Sequence, residues 1–302
     1  MIQVAIGLFG LQQWFAGDFA PALQVAKRAD EKGVDQVNLS DHVVMGERLE
    51  TYPYGTFGME PSYPFYEPVT VLAAIAAITV RIRLSAIVIA PLRPAVFLAK
   101  QLATLDVLSG GRVDIGFGVG WQREEYDGCG VPWEGRFTRM EEQVEICREL
   151  WSRAPASYHG KTLEFERLYS LPFPVQPGGI PIWFGLPPTA RNFERIARFG
   201  GGWYPMLQDP AVLGASVAQL RDAFRRQGND AAKPTVRVAL LPTAWRDDGS
   251  ADLHKTLEVD LPALASAGVT TIEFHPFMYC RGPEELDSFL DAIVAARHAT
   301  AA

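Results

Sequence analysis

Two hydrophobic periods alternate along almost the whole chain: short runs rich in β-branched residues, then longer stretches with helical spacing. Such alternation marks parallel βα units, because a strand buried on both faces reads as a continuous apolar run while the helix covering it shows one apolar face. Strands are predicted at Val4 to Phe9, Asp35 to Ser40, Ile82 to Ile89, Arg112 to Gly118, Ile182 to Gly185, Gly202 to Met206, Val236 to Leu241 and Thr270 to His275. Helices are predicted at Phe19 to Lys32, Glu67 to Thr79, Ala95 to Leu108, Phe137 to Trp151, Thr189 to Phe199, Pro210 to Gln227, Asp252 to Ala267 and Pro283 to His298. Eight such pairs in one run are the count of an α/β fold of the (β/α)8 TIM-barrel type, read here as one domain over residues 1–302. Loop insertions are expected near 43–66 and 155–181, the second holding a hairpin around His159-Gly160-Lys161. A doubly wound sheet of two domains is the competing layout, but no linker and no GxGxxG opening the first helix supports it.

The chain of 302 residues is 48% hydrophobic and 21% charged, enough for a sizeable core and unlike a disordered chain. Its net charge of -7, with Lys and Arg scattered, offers no cationic face for phosphate backbones, so no nucleic-acid partner is expected. Cys129, Cys147 and Cys280 lack metal or redox spacing and read as reduced, buried thiols of a cytoplasmic protein. The opening residues lack a secretory pattern, and the longest apolar stretches are too short or interrupted to span a bilayer, so no membrane association is expected. The histidines at 42, 159, 254, 275 and 298 form no HxH or HExxH pair, and no GxSxG elbow or P-loop is present, so metal, serine-hydrolase and NTPase chemistries lack their parts.

In such a barrel the residues at the C-terminal ends of the strands face one mouth. After the second strand comes Ser40-Asp41-His42; after the fourth, Gly116-Phe117-Gly118-Val119-Gly120-Trp121 and then Glu124-Glu125; after the eighth, His275-Pro276. His42 can serve proton transfer near neutral pH, or can be a ring satisfied by a backbone carbonyl. The strand-four glycines let a planar ring or a phosphate approach the backbone, or fit a crowded barrel interior. Gly185-Leu186-Pro187-Pro188-Thr189 leads into a helix N-terminus that is either a phosphate site or simply capped by Thr189. Aromatic residues including Phe9, Trp14, Tyr52, Tyr54, Tyr63 and Phe65 would suit an apolar substrate over a flat cofactor, or pack a long loop.

The stretches Pro91 to Gln101, Leu105 to Arg112 and Gly116 to Trp121, with Ser40-Asp41-His42-Val43 and Gly202-Trp203, carry a nearly full-length resemblance to the bacterial-luciferase-like oxidoreductases, within them the branch that uses the deazaflavin coenzyme F420. The resemblance implies an aromatic tricycle in the barrel mouth, hydride transfer between coenzyme F420 and a small organic substrate, and a homodimer. It makes His42 the catalytic proton donor or acceptor and assigns cofactor contacts to Asp41, Ile87, Val88, Val119, Gly120, Glu124, Phe184 and Gly185. It also implies a non-proline cis peptide at about Ile87-Val88. Trp121 stands where sugar-phosphate dehydrogenases of that family have an acidic residue, which speaks against such a substrate. Leu186-Pro187-Pro188 replaces the usual Gly and Ser residues, and proline supplies no N–H, so a phosphate there needs fewer or different donors. Gly201 likewise replaces a common acidic residue. Two alternatives are a two-component monooxygenase using reduced FMN and oxygen, and a barrel that binds a flavin or deazaflavin without turnover.

Overall fold

The computed structural model describes residues 2–228 and 233–297; His298, the predicted end of the last helix, lies outside them. The first elements are β1 (Gln3–Gly7), α1 (Ala22–Lys32), β2 (Gln36–Leu39), α2 (Pro68–Ile78), β3 (Arg83–Ile89), α3 (Ala95–Ser109) and β4 (Val113–Gly118). Then follow α4 (Arg123–Gly128), α5 (Arg136–Ser152), a hairpin of β5 (Ala156–His159) and β6 (Glu164–Leu168), β7 (Ile182–Gly185), α6 (Ala190–Phe199), β8 (Gly202–Trp203) and α7 (Pro210–Arg226). The chain ends with β9 (Arg237–Ala239), α8 (Leu253–Lys255), α9 (Leu261–Ser266), β10 (Thr271–Phe274), α10 (Pro276–Tyr279) and α11 (Leu286–Ala296). Setting aside the hairpin, the strands form one sheet in the order β8-β7-β4-β3-β2-β1-β10-β9, and a parallel bridge between Trp203 and Val236 joins its two ends. This order and the helices between the strands are those of the expected (β/α)8 barrel.

Packing divides the chain into two compact units. The first holds the residues up to Leu39, Ile78–Ser85 and everything from Leu186 onward. Here β1 lies between β2 and β10, both parallel to it, with Ala5 opposite Gln36 and Glu273, and Gly7 opposite Asn38. Side chains alternate across a strand, so Gln36, Asn38 and Glu273 share the face of Ala5 and Gly7, whose small size leaves room for them. On the other face Val4, Ile6, Val37, Ile272 and Phe274 are completely buried, each contributing about 1.5–3 kcal/mol.

The second unit holds residues 40–77 and 86–185. In it β4 and β7 are parallel, with Gly116 opposite Trp183 and Gly118 opposite Gly185. Helix α3 ends where the sequence places Ser109-Gly110-Gly111: Gly110 has φ 68°, a conformation that a Cβ disfavours, and its N–H bonds the Asp106 and Val107 carbonyls. Gln143 of α5 donates to the carbonyls of Ala90 and Arg93, both at 2.7 Å, and Trp151 Nε1 donates to Ala99 O at 2.9 Å. The hairpin expected near residue 160 forms, with Tyr158 opposite Phe165.

Several expectations need correction. The predicted Asp252–Ala267 helix is three pieces, with a π turn at Thr256–Asp260 between α8 and α9; Pro262 cannot donate the bond that would continue a regular α-helix. Helices α4 and α10 fall in stretches read as loops, being too short for a periodic signal. Strand Gly202–Met206 shortens to Gly202–Trp203, because Pro205 cannot extend a ladder. Among the described residues the cis peptides are Ala154-Pro155 and Leu171-Pro172, so the cis bond expected at Ile87-Val88 is absent. That bond lies within regular strand β3, where a cis non-proline peptide would cost about 3 kcal/mol. Among the described residues, no helix is long and apolar enough to cross a membrane.

Candidate active site

Asp41 and His42 follow β2 directly and diverge. The Asp41 carboxylate accepts the Ile89 N–H at 2.8 Å and grips the Arg93 guanidinium through two bonds, 2.6 Å to Nη1 and 2.9 Å to Nη2. Burial alone would lower the Arg93 pKa, but Asp41, with help from Glu67, outweighs it and holds it above its ordinary value. The pair is almost dry, with side-chain exposures of 1% for Asp41 and 11% for Arg93. Asp41, expected from the resemblance to touch cofactor, thus has both oxygens engaged in anchoring the end of β3.

His42 turns toward α4. Its Nδ1 lies 3.2 Å from Oε2 of Glu125, a fully buried carboxylate whose Oε1 accepts the Val43 N–H at 2.7 Å. One turn further on, Gly46 and Gln122 bond reciprocally, 2.7 Å from Gly46 N and 3.0 Å from Gln122 Nε2. The opening of the 43–66 insertion is therefore pinned to the loop after β4. The His42 ring lies edge-on to Phe65, Phe57 and Trp121, with centroids 4.7, 5.9 and 6.0 Å away. Tyr52 joins the cluster, 5.1 Å from Phe57 and 5.2 Å from Trp121, and burial pushes its phenol pKa up.

Arg93 was not singled out as a site residue from the sequence, and Glu125 was named only together with Glu124 after the fourth strand, without a role. Two adjacent glutamates open α4, and only three-dimensional packing says which turns inward: Glu125 does, while Glu124 lies 3.4 Å from Arg48 and covers Gly46.

The glycines of β4 are not equivalent. A Cβ on Gly116 would sit 1.7 Å from Ile87 Cδ1, so Gly116 answers crowding. Gly120, with φ 65°, has the backbone that a side chain disfavours and lies against Ile89. Gly118 differs: a Cβ there would have nothing nearer than 3.8 Å, its neighbours being the carbonyls of Gly185 and Val88 and the Ile87 side chain. Gly118 would thus take a Cβ at ordinary contact distance, so neither crowding nor backbone conformation requires glycine there. Val88 and Phe184 are fully buried and Val119 is 7% exposed. Ile87 and Gly185 are half-buried.

Within the first unit, the shared face of β1, β2, β9 and β10 is polar. Arg237, fully buried, donates to Asn38 Oδ1 at 3.2 Å, to Ser85 Oγ at 2.8 Å and to Gln36. Asn38 Nδ2 in turn donates to both oxygens of Glu273, at 3.1 and 2.9 Å, and Tyr204 OH donates to Glu273 at 2.9 Å. His275 packs on Gly7, where any Cβ would be 2.5 Å from its ring, and burial lowers its pKa despite Glu273 nearby. At the predicted phosphate loop, Thr189 Oγ1 accepts the Asn192 N–H at 3.3 Å and Thr189 N donates to Pro187 O at 2.9 Å. The start of α6 is thus capped by its own chain, as the Thr189 capping alternative has it.

The three cysteines are free; Cys147 and Cys280 are buried as expected but Cys129 only partly, and burial raises each thiol's pKa, that of Cys280 to about 12, which disfavours the thiolate.

Residues 7–275 match the model of the luciferase-like monooxygenase family, and the chain belongs to that family. An uncharacterised protein of Mycobacterium tuberculosis, Rv0953c, is 37% identical over 177 residues, which are 58% of this chain and 62% of that relative's length. Among solved structures, an F420-dependent secondary alcohol dehydrogenase in complex with an F420-acetone adduct superposes with a TM-score of 0.77 over 100% of this chain and 99% of the other, at 16% identity. The oxygenating constituent of a type II Baeyer-Villiger monooxygenase from Pseudomonas putida, in complex with FMN, gives 0.72 over 99% and 98%, at 14% identity. At those identities the two structures speak for the fold: a luciferase-like (β/α)8 barrel.

Proposed function

We propose that this protein is an oxidoreductase of the luciferase-like family that moves a hydride between coenzyme F420 and a small organic substrate, with His42 handling the accompanying proton. The proposal takes the whole chain as one catalytic domain, working in the cytoplasm as a homodimer. The observation that carries it is the His42–Glu125 pair, Nδ1 to Oε2 at 3.2 Å, which gives the imidazole after β2 a fully buried carboxylate partner.

A bound deazaflavin would supply the two-electron chemistry at its ring carbon. Ile87, Val88, Val119, Gly120, Phe184 and Gly185, in or just beyond β3, β4 and β7, would hold the cofactor. With Glu125 as a carboxylate, which only accepts, Nδ1 of His42 carries hydrogen and Nε2 is the nitrogen left to take or give a proton. An alcohol whose carbinol carbon gives up hydride must also lose its hydroxyl proton, and a carbonyl whose carbon gains hydride must gain a proton at oxygen; His42 Nε2 serves either direction. Three aromatic rings lie against the imidazole, whose side chain is 10% exposed.

Replacing His42 by Ala should leave deazaflavin binding within about twofold while lowering kcat by about 100-fold or more, the usual size of a general acid–base contribution. Unchanged turnover would remove His42 from the mechanism. The FMN monooxygenase alternative draws on the family's name and on the FMN-bound neighbour. It requires oxygen consumption in step with product, whereas deazaflavin-dependent turnover proceeds equally well without air. A binding protein without turnover would show neither.

A further inference from the structure

We infer that the face of His42 bounded by Tyr52, Phe57, Phe65 and Trp121 admits only uncharged, apolar substrates, an aryl or alkyl ketone or the corresponding secondary alcohol being the class that fits. The inference rests on the role proposed for His42 above. Three of the four rings touch the imidazole, and Tyr52, Phe57 and Trp121 touch one another with centroids 5.1–5.2 Å apart. All four are half-buried, so each keeps part of its apolar surface exposed. A molecule that reaches the imidazole from this side lies against these rings or pushes between them, and in both cases gives up its water to hydrocarbon.

A charged substrate would do so without compensation, because the charges at hand are already committed. Both oxygens of Glu125 are used, by His42 and Val43 N. Residues 43–66, which supply three of the rings, contain Glu47, Glu50 and Glu60 against a single cation, Arg48. Arg48 is itself flanked by Glu50 at 3.6 Å and Glu124 at 3.4 Å. Burying an unpaired charge is costly, and this acidic segment opposes an anion in particular. A ketone or alcohol brings one polar oxygen, which His42 Nε2 can meet, and an apolar body for the rings.

The test is isothermal calorimetry with three probes of similar shape, acetophenone, benzoate and benzylamine, on the purified protein with and without added deazaflavin. Acetophenone should bind at least tenfold more tightly than either ion, and Trp121→Ala should weaken it at least fivefold. Phe57→Leu, which keeps an apolar side chain at the same place, should weaken it about twofold in a protein that melts as the parent does. Equal or tighter binding of an ion, binding of none of the three, or indifference to both variants would overturn the inference. Hydride transfer is followed separately by deazaflavin absorbance with 1-phenylethanol. Selective acetophenone binding without such transfer would leave this inference standing and refute the proposed reaction, and transfer without the selectivity would do the reverse.

Discussion

Glu125 holds His42 and the backbone beside it with one carboxylate, Oε2 at 3.2 Å from the ring Nδ1 and Oε1 at 2.7 Å from the Val43 nitrogen. Glu125→Gln keeps the shape and an acceptor for Val43 but removes the charge that favours hydrogen on Nδ1. The expected result is a fall in kcat of about tenfold, the equivalent of one ordinary hydrogen bond, with KM little changed. Steady-state kinetics would settle it, and an unchanged kcat would reduce Glu125 to a loop anchor. Glu125→Ala should in addition lower the melting temperature, since His42 Nδ1 and Val43 N both lose their acceptor.

Asp41 and Arg93 form a nearly dry ion pair beside the site. Removing one partner strands the other, so Asp41→Ala should cost about 3–5 kcal/mol of stability, measured by urea unfolding. A loss below about 1 kcal/mol would mean that the carboxylate serves a ligand and not the fold.

Gly116 and Ile87 contest one space across neighbouring strands. Gly116→Ala should destabilise by about 1–3 kcal/mol, as overpacking does. Ile87→Val, which deletes the colliding Cδ1, should restore part of that loss in the double variant while costing about 1 kcal/mol on its own. Strict additivity of the two changes would show that the strands part instead.

Two groups couple stability to pH in the same direction. Asp30 accepts the backbone N–H groups of Val80, Arg81 and Ile82; burial pushes its pKa up, but these bonds outweigh it and hold the net value below the ordinary 3.8. Burial likewise holds His275 below its ordinary 6.5. In both cases the unfolded chain binds protons more readily than the folded one, so stability rises with pH across the window. The His275 contribution is complete above about pH 6.5 and declines as acid is added; the Asp30 contribution follows below about pH 4. Urea midpoints at pH 7, 5 and 3 should fall stepwise, and His275→Asn should flatten the first step. A midpoint in the variant that falls between pH 7 and 5 as steeply as in the parent would contradict the assignment.

The barrel was legible because its strands are buried on both faces and its helices on one, which writes two periods into the sequence; Ile182–Gly185 is found at the predicted bounds for that reason. Elements too short to show a period, such as α4 and α10, were not legible. At the site, the position of His42 after β2 was readable, but its partner was not. Glu124 and Glu125 are the same residue type one position apart, and the choice between them depends on which side of α4 meets the 43–66 segment. Gly116, Gly118 and Gly120 looked alike in sequence and differ in space, one crowded, one at ordinary contact distance from its neighbours and one held at positive φ. The partners of Asp41 were hidden because Arg93 lies 52 positions away.

The central claim is best tested by fluorescence titration of the cofactor-free protein with coenzyme F420 and, separately, with FMN. The expected result is saturable binding of F420 in the micromolar range or tighter, at least about tenfold stronger than FMN, a margin of about 1.4 kcal/mol. Preference for FMN, or binding of neither, would contradict the claim.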